Sequence, residues 1–574
     1  MPDSIASIKL LFSVFALSCS IWACDTSPSG TSDPADAEFM DHASSPIDSR
    51  DQSADQLGDD VADRGQSLNP SSDDASNSMT LQPSDATVNP PDLQEDQGDV
   101  QATPTLQPDR LLSLTEQIAG NPIQRRYGIA ITDIDLNGDY EVVVTGYGAP
   151  NEVYDYEGGL WVDRAPESLK DPTRRAIGVA ACDVNGDGRE ELYFLNVDRF
   201  GGLGEVSDRL YIRDGQEEWA DLFERAENQT VINQFSGRSV ACLDRYGQGK
   251  YGVFVANYGG PMKLFELGDT GELVDVGAMV GINLTTGGRG LLALPRPEAG
   301  MHIFAGNEGG ANFLFINRGG TFEERAARAG IADPAETVRG VATLDVNEDG
   351  LFDLVYGNWE GPHRLFIAQP PTEDRDFVTY VDQAPAEMSL PSRIRTVIAA
   401  DLDNDGYEEL FFNNIGEPNR LFRRGPDGWV QIELDEALEP EGLGTGAAVV
   451  DSNQDGRLEL WIAHGESGAQ PLSLYQWGDQ GYHWLRIAPK TPAGAPARGA
   501  RVTLYQPNGR VQRRVIDAGS GYLCQMEPVA HFGLGDLTEV DRVVVEWVDG
   551  SRSEVLSPDV DQVLSLSPAS SSTP

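Results

Sequence analysis

One acidic nine-residue pattern, D-x-D/N-x-D/N-G-x-x-D/E, recurs five times along the chain and limits the fold more than any other feature. The copies are Asp133-x-Asp135-x-Asn137-Gly-x-x-Glu141, Asp183-x-Asn185-x-Asp187-Gly-x-x-Glu191, Asp345-x-Asn347-x-Asp349-Gly-x-x-Asp353, Asp401-x-Asp403-x-Asp405-Gly-x-x-Glu409 and Asp451-x-Asn453-x-Asp455-Gly-x-x-Glu459. Alternate residues turned inward bring oxygens from positions 1, 3, 5 and 9 around one hard cation, and glycine at position 6 permits a sharp reversal. Position 7, filled by Asp139, Arg189, Leu351, Tyr407 and Arg457, would contribute its carbonyl, which leaves its side chain free to vary. A single loop of this kind is often only a solvated turn. Five copies with one spacing are not a coincidence.

The first positions of these loops leave one gap, between 183 and 345, which two degenerate copies fill. Asp244-Arg-Tyr-Gly-Gln-Gly249 keeps the first Asp and the Gly. Pro295 to Gly300 keeps only the Gly, but its flank Arg289-Gly-Leu-Leu-Ala-Leu294 matches Arg339-Gly-Val-Ala-Thr-Leu344. The result is seven repeats spaced by 50 to 61 residues. In each, a small apolar run enters the loop, an apolar run leaves it, and a Gly/Pro/Asn turn precedes a Leu-aromatic pair such as Leu365-Phe366 or Leu421-Phe422. A further aromatic start recurs at Trp161, Phe223, Phe322, Phe377 and Trp429. About four short strands per repeat predict an all-β fold, a seven-bladed β-propeller over 110–480. A linear β-solenoid is the alternative, although its coils are usually shorter.

The loops share their first half with an EF-hand, which also needs a bidentate Glu at position 12 and flanking helices. Position 12 here is Val144, Phe194, Tyr356, Phe412 or Ile462, and β-branched and aromatic residues follow. The EF-hand is therefore excluded. The loop followed by an apolar strand and N-x-x-G-x-x-x-L-F resembles FG-GAP/VCBS repeats, as in the integrin alpha-chain propeller. That resemblance implies calcium between the first two strands of a blade, at about five sites here. The Asp401 loop, with four carboxylates, is expected to bind most tightly of the five.

From Gly481 the pattern changes. His483-Trp484-Leu-Arg-Ile, Gly499 to Tyr505 with a turn at Pro507-Asn508-Gly509, Gly519 to Gln525, His531 to Gly535 and Val543 to Gly550 form a second β-rich set over 481–568, before a tail at 569–574. Their order resembles the ASPIC/UnbV domain that follows such repeats in the cartilage acidic protein family and its bacterial relatives. Cys524 and Val548 depart from that pattern, and no cysteine-rich EGF-like tail is present.

Charge narrows the partners. Against 92 Asp and Glu stand 42 Lys and Arg, a net charge of −50, which excludes nucleic acid and suits a binder of cations. Residues 1–24 read as a signal peptide, with Lys9 before an apolar run too short to span a bilayer. Ile21-Trp22-Ala23-Cys24 resembles a lipoprotein box with Cys24 as the lipidated residue, Trp22 being atypical. Residues 25–109, rich in Ser, Asp, Pro and Gln, lack the apolar content to offset ordering entropy and are expected to form a disordered acidic linker. The expected location is the bacterial cell envelope, periplasm-facing or surface, touching membrane only through the lipid, or secretion if Cys24 is not lipidated. Cys182 and Cys242 are preferred as buried thiols, with a disulfide between them left open.

No HExxH pair, GxSxG elbow or Walker loop occurs among the six histidines and the glycine-rich stretches. Gly442-Leu-Gly444-Thr-Gly446 lacks the βαβ setting of a nucleotide loop and reads as the turn into the seventh repeat. His531 reads as a structural hydrogen-bonding residue. The function expected is a non-enzymatic calcium-binding adhesion or scaffold module for an unidentified protein or glycan. The alternative is a hydrolase or lyase acting on polysaccharide or protein from the propeller face.

Overall fold

The computed structural model describes residues 109–568 apart from 215–217, 269, 297–299 and 426–427. The signal peptide, Cys24, nearly all of the acidic linker and the tail lie outside the described residues.

The seven repeats fold as seven antiparallel four-stranded blades, two of which are joined in one eight-stranded sheet. The alternative solenoid is thereby excluded. Each apolar run before an acidic loop is an innermost strand: Arg126–Thr132, Ala176–Cys182, Gly237–Leu243, Thr285–Pro295, Val338–Leu344, Ile394–Ala400 and Gly444–Val450. The run after each loop returns as the second strand, for example Asp353–Asn358 and Glu409–Asn414, and is buried along its length. Strands covered on both faces need continuous apolar sequence, which is why these runs do not alternate. The Leu-aromatic pairs lie in the third strands, such as Arg364–Gln369 and Arg420–Gly425, and pack between neighbouring blades.

Blade 7 is completed from the other end of the chain. Leu111–Ser113 pairs antiparallel with Ser473–Trp477 as its outermost strand, matching Leu111 with Trp477. The ring is thus closed by backbone hydrogen bonds between its two ends, which give blade 7 its fourth strand. Leu111 is 4% exposed and packs in the core shared by blades 6 and 7. Leu111→Ala is expected to cost about 2–3 kcal/mol by the usual cost of a buried Leu truncation, read as a shift in the guanidinium midpoint.

All seven inner strands break register at one place near their start, between Arg126 and Ile129, Ala176 and Gly178, Gly237 and Ser239, Gly288 and Leu291, Val338 and Val341, Ile394 and Thr396, and Gly444 and Ala447. A bulge bends the strand and re-aims the unpaired side chain. Glycine sits in several of these bulges because the strands converge there: a Cβ on Gly446 would lie 2.2 Å from the Tyr127 carbonyl oxygen.

The C-terminal module is a second small β unit. Val511–Val515, Arg501–Tyr505, Arg542–Glu546 and Arg552–Leu556 form one sheet in that order. Ala530–Gly535, His483–Pro489 and Val563–Leu566 form another, and Leu485, Ile487, Val502, Phe532, Val543 and Trp547 share the core between them. Gly519 to Gln525, expected within this β pattern, is not a strand of it. The segment enters the propeller axis instead. Near the loop end Cys242 N–H donates to the Ala518 carbonyl at 2.7 Å and Glu527 N–H to the Val449 carbonyl at 3.3 Å. Deeper, Gly521 exchanges two backbone hydrogen bonds with Val341, and Gln525 bonds to Ile129 and Ile131 through its backbone and to Ala181 through its amide. Backbone groups at an axial opening need partners in water or protein, and this segment supplies them.

Cys182 and Cys242 form a disulfide between the inner strands of blades 2 and 3, so the preferred reading of two free thiols is corrected. Residues 60 apart in sequence become adjacent because successive inner strands sit side by side around the axis. Cys524 is a buried free thiol.

Candidate metal centres

The acidic loops all connect a first strand to a second, so the ring gathers them on one end of the propeller. Each builds the same local scaffold. The position-9 carboxylate accepts the position-2 N–H: Glu141 from Ile134, Glu191 from Val184, Asp353 from Val346, Glu409 from Leu402 and Glu459 from Ser452. The position-3 side chain accepts the position-5 N–H at 2.7–3.1 Å, in Asp135, Asn185, Asn347, Asp403 and Asn453 alike. The position-5 side chain accepts the position-7 N–H, in Asn137, Asp187, Asp349, Asp405 and Asp455. These successive turns aim positions 1, 3, 5 and 9 toward a common centre and fix the backbone of Asp139, Arg189, Leu351, Tyr407 and Arg457 at position 7.

Position 4 was not singled out by sequence, yet it is left-handed in every loop: Leu136 φ 66°, Gly186 77°, Glu348 58°, Asn404 62° and Gln454 58°. Only one of the five is glycine, so the usual sequence signal for this geometry is missing.

Three loops bring three carboxylates within 4.8 Å of one another: Asp133, Asp135 and Glu141; Asp401, Asp403 and Glu409; Asp451, Asp455 and Glu459. The Asp401 set is the only one of these three that is buried throughout. The Asp183 loop is not among these three sets; there the Asn185 amide donates to Glu191 at 2.8 Å, and Arg189 holds Asp187 at 2.8 Å. In the Asp345 loop both oxygens of Asp353 already accept backbone N–H groups, from Val346 and Ala368.

Whether a cation suits these loops can be judged from the oxygens left over. Among the described residues, the buried carboxylate oxygens without a hydrogen-bond donor are Asp133 Oδ1, Asp139 Oδ1, Glu141 Oε1, Asp345 Oδ1, Asp401 Oδ1 and Glu409 Oε1. All six lie in the acidic loops. A buried charged acceptor with no partner is costly, and a hard cation supplies the missing partner. Burial, reinforced by Asp135, Asp133 and Asp139 against the Ile134 N–H, pushes the Glu141 carboxyl up to about 9. Burial also lifts Asp403 to about 6, with Asp405 adding to the effect, and holds Asp401 and Glu409 well above the ordinary carboxylate range. These residues fit a divalent cation and oppose ionisation without one.

The C-terminal module closes over this end with basic side chains. Arg513 donates to Asp345 at 3.0 Å, Arg486 to Asp451 at 2.8 Å and also to Glu527, and Arg514 lies 3.6 Å from Asp401. Gly533 N–H donates to Asp401 Oδ2 at 2.8 Å, leaving Oδ1 for the loop centre. Arg498 pairs with Glu190, and Arg510 with Glu348 at 2.8 Å. Sequence reasoning missed this clamp; its one signal was the run of arginines from 486 to 514 in an otherwise acidic chain.

His531 Nε2 donates to Asn404 Oδ1, 2.6 Å away, and the ring is buried against the Asp401 loop. The other described histidines are also engaged, His363 for instance with Asn358 N–H and Ser392. Gly442 closes the turn from Glu439 at 2.8 Å, whereas Gly444 and Gly446, expected in that turn, already lie in the inner strand of blade 7.

A family model described as FG-GAP-like repeat matches residues 133–194, and one described as ASPIC and UnbV matches 490–573. The fold and loops thus define an FG-GAP-repeat β-propeller carrying an ASPIC/UnbV domain. More narrowly, the chain belongs to the cartilage acidic protein family. It is 47% identical over 493 residues to cartilage acidic protein 1 of Xenopus tropicalis, covering 79% of this chain and 75% of that protein. To the Homo sapiens protein it is 45% identical over 485 residues, covering 78% and 72%. A solved structure, BBS1N in complex with ARL6DN soaked with mercury, aligns with a TM-score of 0.40 at 11% identity over 63% of this chain and 94% of its own.

Proposed function

We propose that this protein is a calcium-binding, extracytoplasmic binding or scaffold module whose acidic loops take calcium and whose N-terminus ties it by lipid at Cys24 to a bacterial cell envelope. The observation that carries the calcium reading is the set of six partnerless buried carboxylate oxygens, all in the loops. Oxygen-only donor sets built from carboxylates, amides and a backbone carbonyl match calcium's preference, and extracellular modules of this kind hold it at about 10⁻⁴–10⁻³ M. The disulfide between Cys182 and Cys242 supports an oxidising compartment. The adhesion or scaffold role rests on the family, with a protein or glycan as partner.

The Asp401 loop is the tightest site in this reading, because Asp401, Asp403 and Glu409 are all buried and two of their oxygens lack donors. Titration calorimetry of Asp401→Ala should lose the highest-affinity calcium phase and keep weaker ones. If that phase survives, the ranking is wrong; if the wild-type chain shows no calcium binding at millimolar concentration, the whole reading falls.

A further inference from the structure

The end of the propeller axis opposite the acidic loops carries the reverse charge. Four consecutive blades place an arginine at the bulge of the inner strand: Arg238, Arg289, Arg339 and Arg395. All four are buried, none more than 8% exposed. Because each occupies the residue that the bulge leaves out of the ladder, all are aimed at the axis by the same backbone device. The corresponding positions of the other three blades are Tyr127, Ile177 and Thr445, so the positive charge is confined to one sector.

Two carboxylates, on loops that follow second strands, face these arginines. Glu308 binds Arg289 and lies 3.0 Å from Arg339; Glu466 accepts from Arg395 Nε at 2.9 Å. Among the described residues Arg238 has no carboxylate partner, its guanidinium donating to the Phe200 carbonyl. Four cations against two anions leave a buried excess of positive charge in a chain of net charge −50. Two donors in the group, Arg238 Nε and Arg339 Nε, are buried with no acceptor.

Aromatic rings hold the guanidiniums apart. Arg289 lies 4.6 Å from the Tyr258 ring centroid and Arg395 4.1 Å from that of Trp359, with Arg238 5.1 Å from Phe200. Tyr522, at the tip of the axial segment, closes the inner side, 5.9 Å from Arg395. Burial pushes the Tyr522 phenol up, yet Arg289, Arg238, Arg395 and Arg339 together outweigh it and leave it below its ordinary value.

We propose that this arginine cluster is an anion site that receives a carboxylate or sulfate group of a sugar-sized ligand at the face of the propeller remote from the acidic loops. Guanidinium N–H groups pair with planar or tetrahedral oxyanions through two parallel hydrogen bonds, and an oxyanion supplies both the missing charge and the missing acceptors. The small residual exposure of the arginines limits the inserted group to about the size of a carboxylate or sulfate, while the half-exposed Phe200 ring and the Tyr258 and Trp359 rings give a sugar an apolar surface at the rim. The proposal deepens the reading of the protein as a binding module and does not depend on its calcium sites.

The test is calorimetric titration of the full calcium-saturated protein with sodium sulfate and, separately, sodium glucuronate, at ionic strength held constant with chloride. Saturable binding of one equivalent is expected for at least one probe. Arg238→Gln should weaken it at least tenfold with calcium affinity unchanged, and Arg393→Gln, an exposed arginine on the same face, should not alter it. Arg339→Gln provides an independent variant should Arg238→Gln fail to fold. Binding of both probes assigns the site to the shared oxyanion chemistry, and binding of only one names the group. The proposal is overturned if the wild-type protein binds neither probe, or if binding persists unchanged in the cluster variants. Absence of calcium binding in the wild-type protein, with anion binding intact, would instead sink the calcium reading alone.

Discussion

Chelation of calcium at pH 7.5 is expected to lower the stability of this protein by about 1.4 kcal/mol for every site that was held at tenfold excess over its Kd, since a cation bound only to the folded state adds RT ln(1 + [L]/Kd). The three loops that gather three carboxylates each would together contribute about 4 kcal/mol under those conditions. The effect should depend on pH in a definite direction. Glu141 is pushed up to about 9 and Asp403 to about 6 in the cation-free fold, above their values in the unfolded chain. A carboxyl whose folded value is raised stabilises the fold fully below its unfolded value and loses that contribution as pH climbs through the folded one. The calcium-free protein should therefore weaken steadily from about pH 4.5 toward pH 9, the window between the ordinary carboxylate value and that of Glu141. Calcium requires the ionised carboxylates, so its stabilisation grows over the same range. Thermal melts with calcium and with chelator should converge near pH 5 and diverge by pH 8. Parallel curves across that range would mean that the loop carboxylates are not the groups that calcium engages.

The repeat was legible because its chemistry is local. A loop that must aim four oxygens inward fixes residue types at odd positions, and strands buried on both sides fix the apolar runs around it. Those two constraints yielded seven blades even where the loops at Asp244 and Pro295 have lost most of their ligands. What the sequence concealed depends on residues far apart in the chain. Leu111–Ser113 is a three-residue strand, too short for any periodicity to announce, and its identity is set by the vacant edge of blade 7. Gly519 to Gln525 has the small and aromatic residues of a strand, but its partners are Ile129, Ala181, Cys242 and Val341 on four different blades. Position 4 of the loops is left-handed with Leu136, Glu348, Asn404 and Gln454, because the flanking side-chain hydrogen bonds impose a geometry that the residue itself does not prefer. The disulfide followed the same rule: two apolar runs 60 residues apart gave no hint that their ends lie side by side in neighbouring blades.

Arg486→Met should be the most damaging single substitution at the join between the two domains. Arg486 is 2% exposed and binds Asp451 at 2.8 Å together with Glu527, so it neutralises one carboxylate of the blade 7 loop and one of the axial segment at once. Removing one partner of a buried ionic group leaves the others uncompensated and costs about 3–5 kcal/mol. Calcium should soften the loss, because a cation held by Asp451, Asp455 and Glu459 restores positive charge beside Asp451 while doing nothing for Glu527. The double variant Arg486→Met, Glu527→Leu should accordingly be less destabilised than Arg486→Met alone, since it buries one fewer unpaired charge. A denaturant series with and without calcium on these two variants separates the contributions. Because the axial segment bonds to inner strands around the ring and the arginines clamp the loops, propeller and C-terminal module should unfold in one transition in the wild-type protein. Arg486→Met is the variant in which that transition should split, the C-terminal module melting first. A single unsplit transition at the wild-type midpoint would show that the module's arginines rest against the loops without holding the two domains together.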